Sequence, residues 1–156
     1  LALAHSFVDG HKCALILGDN LFTDSFKADF DKFAKSGEGA VIFAKEVENP
    51  NRFGVIEFDK NMNAISIEEK PQHPKSNYAQ TGLYLYDENV FNNIDTLKPS
   101  KRGELEITDL HNVYLKKGNL KASIVNGGWY DTGTFESMYE AATAVRRMAL
   151  TKNSME

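Results

Sequence analysis

Residues 14–17, Ala-Leu-Ile-Leu, form a continuous apolar run that stops at Gly18-Asp19-Asn20. Strands with one wet face alternate apolar and polar residues, whereas an unbroken run marks a strand covered on both faces. A strand of that kind needs packed layers around it, and the rest of the chain supplies them. Phe26, Phe30, Phe33 and Ala34 recur at helical spacing, with Asp24 as a cap and Gly37 as a stop. Residues 40–44 read as a second buried strand. Residues 54–58 and 64–68 flank Asp59-Lys60-Asn61-Met62-Asn63 as a hairpin with a long turn. A strand over 78–86 precedes a short helix over 87–95, with Val90, Phe91 and Ile94 inward. Ile107, Leu110, Val113 and Tyr114 mark another helix, closed by Lys116-Lys117-Gly118. A strand over 120–125 follows. Thr134 caps a last helix on which Phe135, Met138, Tyr139, Ala142 and Val145 repeat at spacings of three and four, before a polar, frayed tail from Thr151. Strands alternating with helices predict an α/β layered fold with some antiparallel hairpin content.

The chain of 156 residues suits a single domain. Its net charge of −4 disfavours a broad nucleic-acid-binding face, because phosphate backbones reward clustered Lys and Arg. The single Cys13 excludes an internal disulfide framework and cannot alone fill a thiolate metal site. The longest apolar run, 13–17, is too short to span a bilayer, and the start lacks the pattern of a signal peptide. A cytoplasmic protein with no membrane partner is the expectation. The chain opens on Leu1-Ala2-Leu3-Ala4 without an initiator Met, which reads as a fragment.

Familiar phosphate-binding loops are missing: neither Gly-x-x-x-x-Gly-Lys-Ser/Thr nor Gly-x-Gly-x-x-Gly occurs. The four His residues (5, 11, 73 and 111) are scattered and read as surface or packing residues. Carboxylates say more. Asp19 closes a strand, where α/β sheets place ligand sites; it is either a ligand-facing carboxylate or a turn residue. Asp131, in Trp129-Tyr130-Asp131-Thr132-Gly133-Thr134, has the same two readings. Two such carboxylates could share one hard cation that keeps water and phosphate in the rest of its shell. Lys70, at the end of Glu68-Glu69-Lys70-Pro71, is either a phosphate-binding point charge or a solvated edge lysine. Arg102 either binds an anion or joins an ion-paired surface. Phe53-Gly54 either lets a ligand approach the backbone or simply begins a strand.

Six segments, taken in order, form one recognisable pattern. They are Leu-Ile-Leu-Gly-Asp-Asn at 15–20, Asn-Arg-Phe-Gly-Val-Ile-Glu-Phe-Asp at 51–59 and Ile-Glu-Glu-Lys-Pro at 67–71. Ser-Asn-Tyr-Ala-Gln-Thr-Gly-Leu-Tyr-Leu-Tyr-Asp at 76–87, Arg-Gly-Glu-Leu-Glu-Ile-Thr-Asp at 102–109 and Trp-Tyr-Asp-Thr-Gly-Thr at 129–134 complete the set. Together they resemble the sugar-nucleotidyltransferase family, its thymidylyl-transferring branch most of all. The resemblance implies a Rossmann-like layered fold with a mixed sheet, N-terminally incomplete, over residues 1–150, with 151–156 as a tail. It implies that glucose 1-phosphate attacks the α-phosphate of dTTP, releasing pyrophosphate and forming dTDP-glucose. Asp19 and Asp131 would be the Mg²⁺ carboxylates. Lys70 would contact the sugar phosphate, Glu69 the sugar hydroxyls and Gly54 the sugar through its backbone, while Arg102 would lie near the phosphate. The family members associate, so a homo-oligomer is implied.

Two residues depart from the family pattern. Phe53 replaces the usual Tyr, losing a hydroxyl, and Gln80 stands in the sugar-site strand where Val is usual. A larger departure is the Gly-Gly-x-Gly-Thr-Arg-Leu type of loop, which binds the triphosphate in the family and does not occur in these 156 residues. The sequence therefore predicts little or no turnover by this chain alone. It leaves open a UTP-using transferase and a non-catalytic sugar-phosphate-binding or assembly module. Without a neighbour for the strand that ends at Asp19, self-association or marginal stability is expected.

Overall fold

The protein is described by a computed structural model that covers residues 1–100 and 103–153. After a short opening helix, α1 (His5–Val8), the chain builds a sheet whose centre is β6 (Tyr78–Tyr86), nine residues of which eight are buried. Around it lie β1 (Cys13–Ile16), β3 (Ala40–Glu46), β4 (Gly54–Phe58), β5 (Ala64–Glu69) and β7 (Leu120–Ile124), in the order β5-β4-β6-β3-β7 with β1 also on β6. The sheet is mixed. β3 and β7 run parallel, while the other pairings are antiparallel.

Register along β6 explains where the molecule opens. One edge is paired with β3 at both ends, over 84–86 and again over 78–80, with a register shift between Ile42 and Ala44. The Thr81 hydroxyl donates to the Phe43 carbonyl at that irregularity, so the backbone acceptor is satisfied. The other edge is shared. β1 covers Leu83 to Tyr86, and β4 meets β6 only at Ala79. Between them the edge of Gln80, Thr81 and Gly82 is not continued by a strand pairing.

Alternation in the strands sends side chains to two layers. On one face Ile42, Ile56, Tyr84 and Tyr86 pack against Val90, Phe91 and Ile94 of α3 (Val90–Ile94) and Leu110 and Tyr114 of α4 (Ile107–Lys116). On the other, Phe43, Leu83, Leu85 and Val125 pack with Phe33 of α2 (Lys27–Ser36). Full burial of side chains of this size stabilises by about 1.5–3 kcal/mol each. Asp87, only 4% exposed, ties the sheet to α3 and α4 by accepting from the Gly39 and Asn89 backbone amides and the Tyr114 hydroxyl.

Several local expectations change. β1 is an edge strand among the described residues, with Ile16 57% exposed, and is not covered on both faces. Apolar continuity records the covering a strand is suited to, and that covering need not lie within the same 156 residues. Asp24 does not cap α2, whose N-cap is Phe26; its carboxylate accepts from the Gly127 amide instead. Thr134 does cap α5 (Phe135–Asn153), its hydroxyl accepting from the Ser137 amide. The apolar stripe of α5 is exposed, however, with Phe135 at 94% and Tyr139 at 70%, and Ala141 is its buried residue. The helix also continues through Thr151, where a frayed tail was expected.

Candidate active site

Two short strands missing from the sequence reading build the site. β2 (Asn20–Phe22) and β8 (Trp129–Asp131) form a separate antiparallel ribbon in which Asn20 pairs with Asp131 and Phe22 with Trp129. The ribbon is held from three directions. Lys45 donates to the Val125, Asn126 and Gly127 carbonyls; the Thr23 hydroxyl and the Asp24 carboxylate accept from the Gly128 and Gly127 amides. Asn20 does most of the positioning. Its Oδ1 accepts from Trp129 Nε1 at 2.6 Å and from the Gly82 amide at 2.8 Å, and its Nδ2 donates to Asp19 at 2.9 Å. A Cβ on Gly82 would stand 2.6 Å from Asn20 Cγ, so only glycine lets Asn20 seat there.

The ribbon brings the two distant carboxylates together. The Thr132 amide and hydroxyl both donate to the Asp19 carbonyl, at 2.7 and 2.9 Å. A Cβ on Gly133 would lie 3.3 Å from Asp131 Oδ1 and 4.0 Å from Asp19 Oδ2, so both carboxylates face one point beside that glycine. Among the described residues no group of three or more His, Cys, Asp or Glu side chains could form a metal cage. Two carboxylate oxygens facing one partly solvated point suit a hard cation that draws its remaining ligands from water and a bound phosphate.

Across from the carboxylates, β4 and β5 supply the opposite wall. Gly54 pairs with Glu69, and the Lys70 amide donates to the Phe53 carbonyl at 3.0 Å. Lys70 closes β5 in a left-handed conformation, φ 44°, which costs a non-glycine residue about 1–2 kcal/mol. That turn leaves Lys70 Nζ 3.9 Å from Glu69 Oε1 and about half exposed, at 53%. The Phe53 ring packs on Trp129 at 5.0 Å between centroids, joining the two walls.

Where the β6 edge has no strand partner, these walls enclose a cleft of about 220 Å³. Asp19, Phe53, Gly54, Glu69, Lys70, Gln80 and Asp131, all candidates from sequence, line this one space. Arg102 falls outside the described residues. Arg52, Asn20, Trp129 and Tyr84 line it too and were not anticipated. Beneath the floor lies a polar chain that the sequence did not announce: Glu69 Oε2, Thr108 Oγ1, Gln80, His111 and Tyr86 in succession. Burial lowers the His111 imidazole to about 3, so the ring is neutral at physiological pH, and burial raises the Tyr84 and Tyr86 phenols.

The profile of the nucleotidyl transferase family matches residues 1–148, nearly the whole length. The chain belongs to that family. It is 47% identical to a glucose-1-phosphate thymidylyltransferase of Neisseria meningitidis over 97% of its own length and 54% of the relative's. A Mycobacterium tuberculosis protein of the same name is 45% identical over 94% of the chain and 54% of the relative. Among solved structures, a Bacillus anthracis protein named as a glucose-1-phosphate thymidylyltransferase, crystallised with sucrose, superposes with a TM-score of 0.86 at 46% identity over 93% of the chain and 58% of that structure. A UDP-glucose pyrophosphorylase bound to UDP-glucose superposes at 0.82 with 25% identity, over 94% and 60%. The mixed α/β sheet is thus that of nucleotidyltransferases, as the sequence motifs implied. The chain spans about half the length of the curated relatives it matches. Among the described residues no helix is long and apolar enough to cross a membrane.

Proposed function

We propose that this nucleotidyl transferase chain carries the sugar-phosphate side of a glucose-1-phosphate thymidylyltransferase site. The observation that carries the reading is the convergence of Asp19 and Asp131 on the same cleft that Glu69 and Lys70 line from the opposite wall. In the reaction, a phosphate oxygen of glucose 1-phosphate bonds to the α-phosphorus of dTTP. The bond from that phosphorus to the β-bridging oxygen breaks, and pyrophosphate leaves with the electron pair. Lys70 presents a cation to the sugar phosphate, raising its local concentration and holding it in line. Glu69 accepts hydrogen bonds from sugar hydroxyls, and bare Gly54 lets the sugar approach the backbone. Asp19 and Asp131 would hold Mg²⁺, which when bound neutralises charge on the α-phosphate. No protein nucleophile is needed, in keeping with a cleft that is lined by neither Ser–His nor Cys–His pairs. Arg102 belongs to the same reading, near the phosphate, as do a homo-oligomeric state and a cytoplasmic setting.

Nucleobase choice is the open partner of this reading, because the cleft residues described address the sugar and phosphate. A UTP-using transferase is the second reading, because a UDP-glucose pyrophosphorylase bound to UDP-glucose shares this fold. Pyrophosphate release in the presence of glucose 1-phosphate and Mg²⁺, with dTTP and with UTP, separates the two. Release that is faster with dTTP and lost in Asp131→Asn supports catalysis as described. Release that survives Asp131→Asn contradicts the carboxylate role. Release that is faster with UTP supports the second reading.

A further inference from the structure

The Glu69 carboxylate can only accept, and its Oε2 lies 2.6 Å from the Thr108 hydroxyl, which must therefore donate to it. With its proton committed, Thr108 Oγ1 can only accept from Gln80, 3.5 Å away, so the Gln80 atom facing it is the amide nitrogen. The Gln80 carbonyl oxygen then points at His111 Nδ1, 2.6 Å away, and that nitrogen must carry the ring proton. In the neutral ring Nε2 is left as an acceptor, and the Tyr86 hydroxyl donates to it at 2.6 Å. One carboxylate at the cleft thus fixes the direction of every hydrogen bond back to a fully buried histidine.

The consequence is at the cleft. Gln80 Nε2, Glu69 Oε2 and Thr108 Oγ1 ring the bare side of Gly54, at 3.2, 3.3 and 3.1 Å from where its Cβ would be. Gln80 and Glu69 both line the cleft, the first with a donor facing this spot, the second with an acceptor. A sugar hydroxyl, which donates one hydrogen bond and accepts others, matches such a pair. A valine at position 80 would offer no donor and would leave His111 Nδ1–H buried without an acceptor. Gln80 and His111 are therefore a matched pair.

We infer that His111 is a positioning residue that orients Gln80, so that the Gln80 amide and the Glu69 carboxylate together recognise one hydroxyl of the bound sugar. The inference rests on the proposed reading of the cleft as a sugar-phosphate site. Two measurements test it. Long-range ¹H–¹⁵N correlation on the unaltered chain identifies the His111 tautomer, and the Nδ1–H form is expected. Calorimetric titration with glucose 1-phosphate and its 2-, 3-, 4- and 6-deoxy analogues then reads the hydroxyl. One analogue is expected to bind about tenfold more weakly or worse. That gap should shrink to about twofold in Gln80→Val and in His111→Phe, with no further change in the double variant. Should His111→Phe fail to fold, the tautomer and the Gln80→Val titration still decide. An Nε2–H tautomer, or a gap that Gln80→Val leaves intact, overturns the inference while glucose 1-phosphate binding upholds the cleft. Failure of the unaltered chain to bind any of these sugar phosphates overturns the proposed function, and the recognition role with it.

Discussion

His111 has no exposed surface and sits among the Tyr84 and Tyr86 rings, with hydrogen bonds to Gln80 and Tyr86. Its folded protonation midpoint, held at about 3 by burial, is below the 6.5 of a free imidazole. Between those values the unfolded chain takes up a proton that the folded chain refuses. Stability therefore rises with pH across that window and is lost on acidification, at up to about 1.4 kcal/mol per pH unit. Urea unfolding at pH 7 and pH 5 should differ by about 2 kcal/mol from this group alone. His111→Phe should show a flatter dependence by that amount, and equal slopes in the two proteins would count against the assignment. At this scale the sequence was legible wherever a residue's type and neighbours announced a task. Asp19, Gly54, Glu69, Lys70 and Asp131 stood in recognisable segments, and the fold gathers them around one cleft. His111 lies outside those segments, and Asn20 and Thr108, although inside them, showed no task of their own. Their roles depend on partners far along the chain, and a lone histidine between apolar helix positions carries no local signal of a hydrogen-bond chain.

The elements that the sequence missed are the two that make the site. β2 and β8 have three residues each, too short for a period-2 pattern to stand out. They exist because Asn20 fits over Gly82 and ties the ribbon to β6. Gly82→Ala places a methyl group 2.6 Å from Asn20 Cγ and should push it off its seat. The expected cost is about 2 kcal/mol in urea unfolding, as for other overpacked sites, together with a changed near-ultraviolet signal from Trp129, the single tryptophan. An unaltered Trp129 signal would contradict the role given to Gly82. Longer elements were read well. The hairpin of β4 and β5 and the strand β6 lie within a residue of their expected ranges, because each has a long pattern and clear turn residues at its ends. The faces of β1 and α5 were read less well. Periodicity shows that an element has an apolar side and says nothing about whether this length of chain covers it.

At the scale of the molecule, the outer edge of β1 has no strand partner among the described residues, and Ile16 and Leu17 are 57% and 42% exposed. An open apolar edge is a template for pairing with another chain. Sedimentation velocity over a range of concentrations should show self-association, reduced by Ile16→Lys; a monomer at every concentration would contradict this. The central claim concerns the cleft itself, where the Gln80–Gly82 edge of β6, the β2–β8 ribbon and the end of β5 meet. Its most direct test is calorimetric titration of glucose 1-phosphate into the chain and into Lys70→Ala. Saturable one-to-one binding, weakened about tenfold or more when the Lys70 charge is removed, is the expected result. Binding that is indifferent to Lys70→Ala, or no binding by the unaltered chain, would contradict the account.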